Sequence, residues 1–179
     1  MNCSSGIHPR HSRFYIRTIR QDWKDPLTQY MVDAGFPHEP CVFQGETTTV
    51  FSFPVESPEG TLVRDELGPI EHLEIWKHFR ENWTDHNPSI TVSVGEHQWD
   101  EVGDWVYDHF DQVCGVSFLP KTDHVYQQAP YQEITEEEYR KAVAEMPKEV
   151  DWSNLRFYES SDQTEGVQQL ACVAGVCEL

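Results

Sequence analysis

Hydrophobic positions in this 179-residue chain switch several times between two-residue alternation and three- to four-residue steps. Arg13 to Arg20 (Arg-Phe-Tyr-Ile-Arg-Thr-Ile-Arg) alternates around β-branched and aromatic side chains and predicts a strand. From Asp25-Pro26 the step lengthens. Leu27, Tyr30, Met31 and Ala34 predict a short helix, with Gly35 just past its C-cap and Pro37 beyond. Thr47 to Val55 predicts the clearest strand, stopped by Pro54 and the turn-prone Ser57-Pro58-Glu59-Gly60. Leu67, Ile70, Leu73, Trp76, Phe79 and Trp83 form a stripe that predicts a long helix facing a core and closing before Asn87-Pro88. Ile90 to Val94 predicts another strand. Trp99, Val102, Trp105, Val106, Phe110 and Val113 trace a further helix, and Cys114 to Leu119 a third strand ended by Pro120.

Strand, helix, strand, helix, strand from Thr47 to Leu119 implies an α/β fold with parallel strands and right-handed crossovers. Three or four strands are few for a free-standing domain of that class. After Pro120 the pattern changes. Lys121 to Gln132 is polar and aromatic without period, and Thr135 with Glu138 predicts a capping box opening a helix to about Met146. Residues 159–169 hold almost no apolar side chains and read as a flexible tether. The expected division is therefore 1–120, 121–158 and 159–179.

Charge narrows the function classes. Thirty-one acidic against thirteen basic residues leave a formal charge of −18. Phosphate backbones would be repelled, and no basic stripe offsets that, so no nucleic-acid partner is expected. No apolar run approaches the roughly 18 residues of a membrane span. Met1 to Gly6 lacks the basic and apolar regions of a secretory leader, so a cytoplasmic location without membrane attachment is expected. The five cysteines, an odd number without secreted-type spacing, fit a reducing compartment.

Two of those cysteines carry the candidate chemistry. Cys172 and Cys177 lie on small residues at the extreme C-terminus, and Gly175 lets the backbone turn between them. A mobile dithiol exchanges readily with another disulfide, which fits a shuttle of reducing equivalents. A chance pair and half of a metal site are the alternatives, the latter disfavoured by the spacing. His8 with His11, and His38 near Cys41, suggest zinc only weakly, because Pro9 keeps the first pair on extended backbone. Arg10, Arg13, Arg17 and Arg20 read as a solvated or salt-bridged strand face, or else as a surface for an anionic ligand or an acidic neighbour. The acidic runs suit helix starts.

Several blocks resemble one family. Ser5 to His11, Phe14 to Arg17, Asp25-Pro26-Leu27, Gly115 to Pro120, Tyr126 to Thr135 and the Cys172/Cys177 pair follow, in order, the late barrel region and tail of adenosylcobalamin-dependent (class II) ribonucleotide reductases. The likeness is strongest to the single-chain branch that reduces ribonucleoside triphosphates. The resemblance implies the C-terminal part of a ten-stranded α/β barrel followed by a flexible redox tail. It implies adenosylcobalamin as cofactor, mostly held outside this chain, and Cys172 and Cys177 as the dithiol that re-reduces an active-site disulfide and is recharged by thioredoxin. The radical cysteine, the active-site cysteine pair and the substrate-phosphate loop lie upstream in the family and have no counterpart here. The chain is thus expected to be inactive without that upstream part. A stand-alone thiol-disulfide carrier or a non-functional remnant is the rival expectation.

Overall fold

The computed structural model describes residues 6–121, 127–161, 171–173 and 176–178, with Ser161 and the last two stretches described as backbone only. Among these residues no helix is long and apolar enough to cross a membrane. The chain divides into two compact units, Met1–Ser12 with Pro58–His124, and Arg13–Ser57 with Val125–Leu179. Residues 13–57 therefore group with the C-terminal third. The reason is long-range strand pairing, which the order of elements does not reveal.

The second unit is built on a four-stranded antiparallel sheet in the order β2-β3-β1-β6. Its strands are β1 (Phe14–Asp22), β2 (His38–Pro40), β3 (Thr48–Glu56) and β6 (Tyr131–Glu133). Phe14 pairs with Glu56 and Asp22 with Thr48, so β1 and β3 match along their whole length. The strand from Thr48 thus lies antiparallel to its neighbours and outside any parallel crossover, contrary to expectation. Nor does Pro54 end it. The Ser57 N–H bonds the Arg13 carbonyl at 2.8 Å, and alternation along the ladder puts Pro54 at a position whose missing N–H faces away from β1. β2 flanks only Thr49 to Phe51, so among the described residues no strand on that side needs the donor either.

Helix α1 (Pro26–Asp33) starts on Asp25, whose carboxylate accepts from the Leu27 N–H at 2.9 Å. It ends as the sequence predicts. Gly35 has φ +83°, its N–H bonds Val32, and the Phe36 N–H bonds Met31, a full Schellman closure. Helix α4 (Glu136–Glu145) carries the predicted capping box, with the Thr135 hydroxyl and the Glu138 N–H, and the Glu138 carboxylate and the Thr135 N–H, satisfying one another. The short α5 (Leu155–Tyr158) returns to α1, where the Tyr158 hydroxyl donates to Asp33 at 2.8 Å and that of Tyr30 to the Asp151 carbonyl at 2.6 Å.

The first unit contains the parallel element. β4 (Thr91–Val94) and β5 (Ser117–Pro120) pair in parallel, joined through α3 (Trp99–Asp108), and α2 (Pro69–Asn82) packs beside them. Leu73, Trp76, Ile90, Val92, Val94, Val102 and Trp105 form the core. The buried indole N–H of Trp76 donates to the Pro88 carbonyl at 2.9 Å. The long stripe is core only in its first half. Phe79 and Trp83 are exposed, Trp83 at 82%. Three-residue steps drift by about 60° each on a 100° helix, so Phe79 has turned well away from Leu73, while Trp83 lies past the last helical residue. Phe110, 72% exposed, likewise follows the end of α3 rather than extending its buried face.

An N-terminal segment continues this parallel arrangement. Gly6 bridges Ser89 in parallel, and the Ile7 N–H bonds the Ser89 carbonyl at 2.7 Å. A Cβ on Gly6 would sit 2.3 Å from that carbonyl oxygen and 2.4 Å from His8 Nε2, so only glycine fits. Farther on, Arg10 bridges Val63.

Candidate functional site

The predicted dithiol falls in a terminal ladder. β7 (Ala171–Val173) and β8 (Val176–Glu178) pair antiparallel, with Ala171 opposite Glu178, Cys172 opposite Cys177 and Val173 opposite Val176. Directly opposed residues of an antiparallel pair have Cα atoms about 4.5–5.5 Å apart, inside the span of roughly 4.4–6.8 Å that a disulfide bridges. The backbone therefore brings the two positions together. The expected tether, 159–169, lies outside the described residues from Asp162 onward.

The other specific block is architectural. Gln128 adopts φ +55°, the left-handed region, and its amide is the hub of a knot. Its Nε2 donates to Glu39 Oε1 and to the Pro40 carbonyl, each at 2.9 Å, while its Oε1 accepts from the Val42 N–H at 2.9 Å. Its own carbonyl accepts from Arg20 at 2.9 Å. Pro130 accepts the Thr18 N–H, Tyr131 to Glu133 form β6, and Thr135 caps α4. A stretch that showed no period thus closes the sheet edge. Sequence reasoning placed the block but missed Gln128's role, for which only its long amide was a signal.

The strand arginines are engaged within the same unit. Arg13 pairs with Glu56 at 2.7 Å, Arg17 lies 4.5 Å over the Tyr131 ring, and Arg20 holds Gln128. His38 is a packing residue, edge-on to Trp23 at 5.7 Å, with Nδ1 donating to the Phe36 carbonyl at 3.0 Å. Cys41 is buried, and Cys114 is exposed with Arg80 donating to its sulfur at 2.8 Å. Among the described residues no group of three or more His, Cys, Asp or Glu side chains is placed to hold a metal ion.

In the first unit three imidazoles gather around the N-terminal segment. Burial lowers the pKa of His8, of His11, where Arg64 adds to the effect, and of His72, where His8 adds to it. The Nε2 of His72 donates to the Ile7 carbonyl at 2.7 Å, pinning the segment to α2.

Comparison with known proteins decides the family. No protein-family model matches the chain. A relative in Dictyostelium discoideum, a probable adenosylcobalamin-dependent ribonucleoside-triphosphate reductase, is 34% identical over 154 residues, covering 84% of this chain and 20% of itself. The chain belongs to the adenosylcobalamin-dependent ribonucleotide reductase family. Reductases of the same description in Euglena gracilis and Lactobacillus leichmannii are 26% and 24% identical, covering 93% and 98% of the chain. The chain spans about a fifth to a quarter of the length of those relatives, which are 20%, 23% and 24% covered. In fold it matches the crystal structure of a B12-dependent (class II) ribonucleotide reductase, with a TM-score of 0.68 at 22% identity over 86% of this chain and 21% of that one.

Proposed function

We propose that the chain serves as the C-terminal portion of a reductase that converts ribonucleoside triphosphates to 2′-deoxyribonucleoside triphosphates. It supplies part of a ten-stranded α/β barrel and the Cys172/Cys177 dithiol that re-reduces the active-site disulfide. The observation that carries this reading is relatedness running along 84–98% of the chain to reductases of that description. The unfinished parallel sheet supports it. Among the described residues β5 pairs only with β4, and a stand-alone carrier would leave that edge open.

In this reading the radical cysteine and the substrate-phosphate loop come from the remainder of the reductase, and thioredoxin recharges the dithiol in the cytoplasm. Adenosylcobalamin supplies the radical chemistry in the complete enzyme. The cavity between α1 and α5, about 450 Å³ and lined by Tyr30, Asp33, Asp151 and Tyr158 among others, is far too small for a corrinoid with its nucleotide arm.

The test combines this chain with the remainder of the reductase, a ribonucleoside triphosphate, adenosylcobalamin and the thioredoxin system, and measures deoxynucleotide. Turnover well above that of the remainder alone is the expected outcome. Equal turnover with and without this chain would refute the reading.

A further inference from the structure

We propose that the cavity between α1 and α5 in the second unit is a binding site for an alkylammonium ligand, a primary amine carrying its charge at the end of an aliphatic chain. Such a site lies outside the redox chemistry and does not depend on the reductase reading.

Three sources of negative potential converge on the cavity. The first is side-chain charge. Asp33, Glu149 and Asp151 line it, and among the described residues no lysine, arginine or histidine does. Arg156 lies 4.7 Å over the Phe157 ring without lining the cavity. The second is helix α1, which ends at Asp33 with no basic residue in its last turn. The negative end of its dipole therefore adds to the carboxylate instead of being offset. The third is the aromatic wall of Tyr30, Phe157 and Tyr158, since ring faces attract cations. Tyr30 and Tyr158 meet edge to face at 5.3 Å, which fixes their orientation. The hydrogen bond from Tyr158 to Asp33 also raises the hydroxyl above its ordinary pKa, as a carboxylate without a cation does to a neighbouring phenol.

The hydrogen-bonding capacity left over selects the kind of cation. Asp33 Oδ2 accepts from Tyr158 at 2.8 Å, and its other oxygen has no donor among the described residues. Asp151 is more fully engaged, Oδ1 accepting from the Ser153 N–H and hydroxyl and Oδ2 from Asn154. Neither offers the two free oxygens that a planar guanidinium grips, whereas an ammonium is a compact charge that single oxygens satisfy. A quaternary ammonium has no N–H to give to them at all. A volume of about 450 Å³ exceeds what an ammonium fills and leaves room for its aliphatic chain beside the rings. This chemistry has two sources, a free diamine and a lysine side chain of another protein.

The test titrates the full chain by calorimetry at fixed ionic strength with diaminobutane, with Nα-acetyl-lysine amide and with butanediol, the uncharged control. Saturable binding of an amine but not of the diol is expected, and the tighter amine identifies the source. The −18 charge draws cations to the whole surface, so two double variants of equal charge change are compared. Asp33→Asn with Glu149→Gln should weaken amine binding by about tenfold or more, the loss expected of hydrogen bonds to charged groups. Asp100→Asn with Glu101→Gln, at the start of α3, should change it by less than about twofold. All four carboxylates are on exposed residues, so the fold does not depend on them. Phe157→Leu keeps apolar volume but removes a ring, and should weaken binding about two- to fivefold. Equal loss in the two double variants, unchanged affinity in Phe157→Leu, or no saturable binding of either amine overturns the proposal.

Discussion

His72 donates from Nε2 to the carbonyl oxygen of Ile7 at 2.7 Å across 65 residues of sequence, and its side chain is almost wholly buried. That bond fastens the N-terminal segment to α2 with an imidazole whose pKa burial holds below the ordinary 6.5, as it does for His8 and His11. Groups with a folded pKa below the unfolded one leave stability intact above about 6.5, where both states are neutral. As pH falls below that value the unfolded chain takes up protons first, and stability is lost until the folded pKa is passed. Urea unfolding of the first unit at pH 7.5 and 5.5 should show a lower midpoint at 5.5. The His72→Gln variant should lose less over the same interval, which separates the imidazole from general relief of the −18 charge. Equal losses would contradict the account.

Gln128 offers a second test, in the other unit. Its side chain makes three hydrogen bonds to residues 39–42. Replacement by Ala removes all three and keeps the left-handed backbone strained. At about 0.5–1 kcal/mol for each of these three exposed bonds, Gln128→Ala should destabilise the second unit by roughly 1.5–3 kcal/mol. Gln128→Gly, which relaxes the φ of +55°, should cost less. Chemical denaturation of the two variants, read by tryptophan fluorescence, ranks them.

What could be read from the sequence follows the range of the forces involved. The capping box at Thr135 and the Schellman glycine at Gly35 are set within a few residues, and both form as expected. The parallel β4–α3–β5 unit was legible for the same reason, since one short crossover contains it. β6 was not. Its three residues, Tyr131–Glu133, become a strand only by pairing with Tyr15 to Arg17, more than a hundred residues earlier. The same pairing groups residues 13–57 with the C-terminal third. Cysteine spacing was visible at once, yet a loose loop and a paired hairpin have the same spacing, so the register at Cys172 and Cys177 had to come from the backbone.

The two ends of the α2 stripe should respond in opposite ways. Trp76 is fully buried and hydrogen-bonded to Pro88, so Trp76→Ala opens a large cavity and should destabilise the first unit by about 3–5 kcal/mol. Trp83 is 82% exposed, and Trp83→Ala should change stability by less than about 0.5 kcal/mol. Thermal melts of both variants decide whether the stripe is a continuous core face or ends near Trp76. Comparable losses would restore the continuous face.

The proposed shuttle makes a distinction between reductants. Thioredoxin is a folded protein, and in this scheme it meets Cys172 and Cys177 rather than the buried active-site disulfide. A small dithiol reaches that disulfide directly. In the complete reductase Cys172→Ser and Cys177→Ser should each lower thioredoxin-driven turnover by about a hundredfold or more, because exchange needs both sulfurs to release the mixed disulfide. Turnover with dithiothreitol should persist in both variants within a few-fold of wild type. The control is a pair of rates on the same enzyme preparation, so a folding defect, which lowers both together, is told apart from loss of the relay. Parallel loss with both reductants would assign the cysteines a structural role instead.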